Sequence, residues 1–143
     1  MAVAFDAARA AAARGEVPIG AVIVDPGGRV LAAAGNRTRE LNDPTAHAEL
    51  LAIRDACAAV ASERLIDCDL YVTLEPCPMC AAAIGFARLR RLYYAAPDPK
   101  GGGVDHGPRI YAQPTCHHRP EVYGGIGEAE ASELLRGFFR ERR

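Results

Sequence analysis

Apolar positions along the chain recur at two spacings, and the alternation between them predicts the order of elements. Residues 3 to 14 are alanine-rich, with Val3, Phe5 and Ala8 spaced for one face, so a helix is expected there, ended by Gly15. Ile19 to Val24 is an apolar, strand-like run. Asp25-Pro26-Gly27-Gly28 is a turn signal and Arg29 to Ala34 a second strand, which makes a hairpin. A polar stretch, 35 to 45, reads as loop. Thr45 offers an N-cap, with His47 and Glu49 in the first turn; Ala46, Leu50, Ile53, Cys57 and Val60 then form a helical stripe to about residue 61. Leu70 to Leu74 is a third strand that stops in Glu75-Pro76. Pro78, at a first helical position, predicts a helix to about Ala87 with Cys77 near its N-cap. Leu89 to Ala95 is a fourth strand.

The stretch from 97 to 119 holds three consecutive glycines, four prolines and little periodicity. An ordered loop is expected there, with a short turn or helix near Arg109 to Ala112. Glu121 to Ile126 predicts a fifth strand, and Glu128 to about Arg140 a final amphipathic helix. Helices alternating with strands imply an α/β fold, a three-layer α-β-α sandwich around one mixed five-stranded sheet. No repeat or linker divides the chain, so one domain over residues 1–143 is expected.

Composition narrows the picture. The formal net charge is -1, so the whole molecule exerts no electrostatic pull on nucleic acid, and a polyanion would have to meet a local patch. Half the residues are hydrophobic, enough for a core. Asp6, Arg9 and Arg14 interrupt the alanine-rich start, which lacks the pattern of a signal peptide, and no run reaches the ~18 apolar residues of a membrane span. The expectation is a cytoplasmic protein with no membrane partner. The five cysteines, Cys57, Cys68, Cys77, Cys80 and Cys116, are odd in number and irregular in spacing. In a reducing compartment a CxxC is more often metal-binding or catalytic than a disulfide.

Cys77 and Cys80 stand three apart at a predicted helix start, where one face carries both sulfurs and the helix dipole favours thiolates. His47 and Glu49 open the preceding helix in the same way. Ligands of open α/β sheets gather at strand carboxyl ends beside helix N-termini, so His47, Cys77 and Cys80 are expected to meet. One imidazole and two thiolates make three protein ligands for zinc, with the fourth position open to water, as in a catalytic site. Glu49 is then the acid/base candidate. A thioredoxin-like redox pair would need no His-x-Glu upstream, and a zinc ribbon would want a second CxxC. Cys116-His117-His118 is a rival cluster, but three adjacent residues cannot all face one ion from a regular strand. Cys116 and His117 read as loop packing and polar surface, Cys57 and Cys68 as core packing.

His47-Ala48-Glu49 followed by Pro76-Cys77-Pro78-Met79-Cys80 resembles the His-x-Glu…Pro-Cys-x-x-Cys pattern of the zinc-dependent nucleobase deaminases. The resemblance extends to Gly15–Val22, Asn36-Arg37, Asp43–Glu49, Leu70–Cys80 and the ending Gly137–Arg143, all similar to bacterial tRNA adenosine deaminases. It implies a cytidine-deaminase-like fold, one zinc ion per chain, and hydrolytic deamination of adenosine to inosine at the tRNA wobble position. It further implies proton transfer by Glu49, a homodimer, and an anticodon stem-loop as partner. Asn36 and the backbone at Ala48 would contact the target nucleoside.

In the last predicted helix acids come first and arginines last, which complements the helix dipole. The same arginines beside Phe139 could grip phosphates and stack on a base. The resemblance favours RNA contact by Phe139, Arg140, Arg142 and Arg143. Arg88, Arg90 and Arg91 form a second basic cluster, equally explained as a solvated helix end. Gly101 to Gly125 departs from the family pattern, and loops on such a fold border the substrate. Two other readings therefore stand beside the first: a deaminase of a free base or nucleoside such as guanine or cytosine, and a non-catalytic zinc-containing RNA-binding module.

Overall fold

The computed structural model describes residues 1–142. Five strands form one mixed sheet: β1 (Gly20–Val24), β2 (Val30–Gly35), β3 (Asp69–Leu74), β4 (Arg91–Ala96) and β5 (Glu121–Gly124), in the order β2-β1-β3-β4-β5. β1 is antiparallel to both neighbours, whereas β3, β4 and β5 run parallel. Four helices accompany them: α1 (Ala2–Ala13), α2 (Ala48–Val60), α3 (Pro78–Phe86) and α4 (Glu128–Arg140). A 3-10 turn spans Ile110–Ala112. α1 and α2 both pack on β1 and β2 from opposite sides; α4 joins α1, and α3 joins α2. The result is the expected α-β-α sandwich.

Each face has its own chemistry. Ile23, Leu70, Val72, Leu92 and Tyr94 of the sheet meet Ala52, Ala56, Ala81 and Ile84 of α2 and α3 in the main core. On the other face α1 comes in very close, which its alanines permit. Gly20 is the reason β1 can accept it: a Cβ there would run into the Ala4 carbonyl and lie 2.6 Å from Ala8 N. Tyr71, Tyr93 and Tyr123 stand in register on β3, β4 and β5 and stack, with centroids 4.5 and 5.1 Å apart.

Several expectations need correction. α1 turns Ala4, Phe5, Ala8 and Ala11 inward and leaves Val3 exposed. In α2 the buried face is Ala48, Ala52 and Ala56, not the expected stripe; Leu50, Ile53 and Cys57 are half-buried and Val60 is exposed. The small alanines win the sheet-facing side because the helix sits close to β1 and β2. Thr45 does not cap α2: its N–H and hydroxyl both bond Asp43 Oδ1, at 2.8 and 2.7 Å, and His47 is the N-cap. The fifth strand stops at Gly124, where Gly125 turns to a positive φ of 87°.

β2, antiparallel to β1, runs in the same direction as β3 and β4, so all three end at one edge of the sheet. Asn36, Glu75 and Pro97 leave from that edge. Arg37 N donates to Ala46 O at 3.0 Å, closing the loop after β2 and setting His47 beside the end of that strand.

Candidate active site

α2 and α3 both begin at this edge, each with a sequence-predicted ligand at its N-cap. His47 has φ -75° and ψ 151°, Cys77 φ -68° and ψ 170°; both are extended, and neither side chain caps its own helix. The side chains turn instead toward one another. His47 Nδ1 lies 3.7 Å from Cys77 Sγ and 3.6 Å from Cys80 Sγ. The three donor atoms fall within 4.8 Å of one another. A tetrahedral zinc with Zn–S of about 2.3 Å and Zn–N of about 2.0 Å requires N···S edges of about 3.5 Å. The donor set therefore fits zinc in kind, number and spacing, and Nδ1 is the ring nitrogen that faces it.

The electrostatics agree. Hydrogen bonds from Cys80 and His47 pull the Cys77 thiol down to about 4. Its partner Cys80, donating to Cys77 and deeply buried, is pushed up from the ordinary thiol value. The pair thus holds one negative charge readily and resists a second, which a dication would supply the reason to accept. Two helix N-termini pointing at the same place add to the anion preference. The hydrogen bond to Cys77 raises the His47 imidazole.

Glu49 sits in the first turn of α2 with 4% of its surface exposed, and its Oε2 lies 3.5 Å from Cys80 Sγ. Two residues apart inside a helix, His47 and Glu49 could not share a face. Because His47 is the extended N-cap residue and only Glu49 is helical, both reach the thiolate pair. Burial pushes the Glu49 carboxyl up from the ordinary carboxylate range. A buried carboxyl beside three metal-type donors can carry protons to and from a reacting atom.

The chain matches the family model of the cytidine and deoxycytidylate deaminase zinc-binding region over residues 1–96. Over all 143 residues it is 64% identical to a tRNA-specific adenosine deaminase of Agrobacterium fabrum, covering 93% of that protein. The chain belongs to this zinc-dependent deaminase family. A solved structure from a study of A-to-I editing by tRNA:A34 deaminases superposes with a TM-score of 0.92 and 64% identity, covering 94% of this chain and 97% of that one. A guanine deaminase from Bacillus subtilis is more distant, with a TM-score of 0.64 and 34% identity, covering 96% of this chain and 89% of that one.

The other expected residues are placed unevenly. Asn36 is 5% exposed beside the His47 loop; its backbone N–H bonds Ile19 O, and its side-chain amide bonds nothing among the described residues. Ala48 is the first helical residue of α2, so its N–H has no acceptor within the helix. α4 lies across the sheet from α2 and α3. On it Phe139 is 49% exposed and Arg140 reaches Glu133 at 3.3 Å; just past its end the Arg142 guanidinium sits 3.5 Å from the Phe138 ring centroid. Arg143 lies outside the described residues. Arg90 and Arg91 are held by Asp69 and Glu121, which accounts for most of the second basic cluster. Cys116 packs half-buried against the core and His117 is exposed; neither joins a metal cluster among the described residues.

Sequence reasoning missed Glu75, taking it only as the stop of β3. It is 2% exposed, and four backbone N–H groups and one imidazole point at its carboxylate. A charged residue placed directly between an apolar strand and Pro76-Cys77 was the available signal.

Proposed function

We propose that this protein deaminates adenosine to inosine at the wobble position of tRNA, working in the cytoplasm as a homodimer. The observation that carries the reading is Glu49: a buried carboxyl set against a three-donor metal cluster serves hydrolysis, and a structural zinc module has no use for it. The full-length similarity to tRNA-specific adenosine deaminases supports the nucleotide and the polymer.

In this reading His47 Nδ1, Cys77 Sγ and Cys80 Sγ hold zinc. Zinc, when bound, supplies a Lewis acid that brings the pKa of water to about 7. The remaining work falls to the chain. Glu49 takes the proton from the attacking water and places it on the adenine N1, then moves the proton of the hydroxyl so formed at C6 to the amine, which leaves as ammonia. Its raised affinity for a proton, caused by burial, suits a group that must both hold and release one near neutrality. Asn36 meets the polar edge of the nucleoside with its unpartnered amide, and the free N–H of Ala48 adds a donor at the helix start. The wobble base lies in a loop, so little pairing is lost when it is turned into the site.

Two surface features support the partners. The outer face of α3 carries Met79 and Phe86, the latter 75% exposed, with half-buried Ala82 and Ala83 between them. This apolar strip on the ligand helix fits a second copy of the chain. Phe139 and Arg140 are exposed on α4 and suit base stacking and phosphate contact. No helix among the described residues is long and apolar enough to cross a membrane.

The test is direct. The zinc-loaded protein is incubated with an anticodon stem-loop carrying a wobble adenosine and, separately, with guanine, cytosine and adenosine. Inosine in the RNA is expected. Ammonia from a free base with no inosine in the RNA overturns the proposal in favour of a small-molecule deaminase.

A further inference from the structure

The segment from Pro97 to Gly107 leaves the carboxyl end of β4, at the edge of the sheet where ligands of open α/β folds bind. It has no regular structure, yet it is tightly held. The Glu75 carboxylate, buried at the end of the neighbouring strand, accepts from Asp98 N at 3.0 Å through Oε1. Through Oε2 it accepts from Val104 N at 3.2 Å, Asp105 N at 3.0 Å and His106 N at 3.1 Å. His106 Nδ1 adds a 2.7 Å contact to Oε1. Although burial works against the charge, the backbone donors and His106 hold this carboxyl below its ordinary range.

The segment so gathered touches the ligand helix itself. Gly103 N donates to Pro76 O at 2.8 Å, and a Cβ on Gly103 would lie 2.5 Å from Pro78 N and 2.9 Å from the Cys77 carbonyl carbon. A Cβ on Gly102 would fall on the Glu75 carboxylate. Val104 is buried in the main core, and Tyr94 OH donates to Asp105. The consecutive glycines that depart from the family pattern are thus what lets the backbone lie between a carboxylate and the Cys77-Pro78 peptide.

We infer that Glu75 is a positioning residue: it draws the 98–106 backbone against the Cys77-Pro78 peptide and so builds one wall of the substrate site. The inference rests on the functional reading above. Glu75 is not a member of the donor cluster; it acts by fixing backbone that packs against the Cys77-Pro78 peptide. Its loss should therefore weaken substrate binding more than it slows the chemical step.

Glu75→Gln keeps the size but turns an acceptor into an N–H₂ group facing N–H donors. Gly102→Ala leaves the carboxylate intact and pushes the segment off it. For both, three quantities are measured: hydrogen exchange of residues 98–106, zinc per chain, and KM and kcat on the wobble-adenosine stem-loop. The expected result is faster exchange confined to the segment, unchanged zinc content, KM raised about tenfold, and kcat within about threefold of wild type. If Glu75→Gln loses its fold or its zinc, Gly102→Ala decides. Unchanged exchange overturns the inference, as does faster exchange with unchanged KM, or a fall in kcat with KM constant. A wild-type protein that makes no inosine overturns the functional reading instead, and the inference falls with it; wild-type activity with unaltered variants overturns the inference alone.

Discussion

Glu49→Gln separates the proposed proton-transfer role of this residue from its packing role. Glutamine has nearly the same shape, so the 4% exposed site stays filled. Burial already holds the carboxyl protonated more readily than in water, so replacing it with a neutral amide removes little folding stability. The amide oxygen still accepts where the carboxyl did, and the three donor atoms are untouched, so zinc should still bind. What is lost is a group that can give and take a proton. General acid–base catalysis contributes roughly 10²–10⁴-fold, or about 2.7–5.5 kcal/mol of barrier, and a residue serving several transfers should fall at the upper end. Single-turnover deamination of the stem-loop, with inosine quantified by digestion and chromatography, reads the chemical step. Metal analysis and a thermal melt confirm that site and fold persist. A variant that keeps zinc and turns over within about tenfold of wild type refutes the assignment of Glu49 as proton carrier.

Three more outcomes are expected. Zinc must displace the proton of the Cys80 thiol and that of the His47 imidazole, both held more tightly than usual, so zinc uptake should expel more than one proton and tighten by more than tenfold on raising the pH from 6 to 7; titration calorimetry in buffers of different ionisation enthalpy counts the protons, and a pH-independent affinity would contradict the donor assignment. Gly20→Ala places a methyl against α1 backbone, which cannot move aside as a side chain would, so urea denaturation should report a loss of about 2 kcal/mol or more, and a neutral result would show that α1 is less closely seated. Phe86→Lys should shift the protein from dimer to monomer in light scattering at micromolar concentration, with the secondary structure unchanged; a dimer that persists would assign the interface to another surface.

The elements were legible because their signals are local. Pro78 marks the start of α3 since its ring presets the helical φ and its missing N–H is one the helix does not use. Asp25-Pro26-Gly27-Gly28 marks the hairpin for similar reasons of turn stereochemistry. The face of α2 was not legible, because alternate apolar stripes compete on an alanine-rich helix. Closeness of approach to the sheet, a property of the packed layers, favours Ala52 and Ala56 over Leu50 and Ile53. Thr45 was misread for a different reason: it satisfies the local rule for an N-cap, but Asp43 two residues earlier takes both its donors.

The ligand types at the candidate centre belong to the sequence alone. An imidazole, a carboxyl two residues on, and two thiols three apart at a proline-marked helix start state a zinc chemistry whatever surrounds them. Only the tertiary structure decides how those groups face. The extended backbone at His47 brings Nδ1 and Glu49 to the same side, and the common direction of β2, β3 and β4 brings Asn36 and the thiols to one edge. Glu75 is the clearest case of the division. In sequence it is one acid before a proline; in the fold its donors come from residues 23 to 31 positions away. No local pattern records that convergence, because it depends on two adjacent strands ending together and on a loop returning over them.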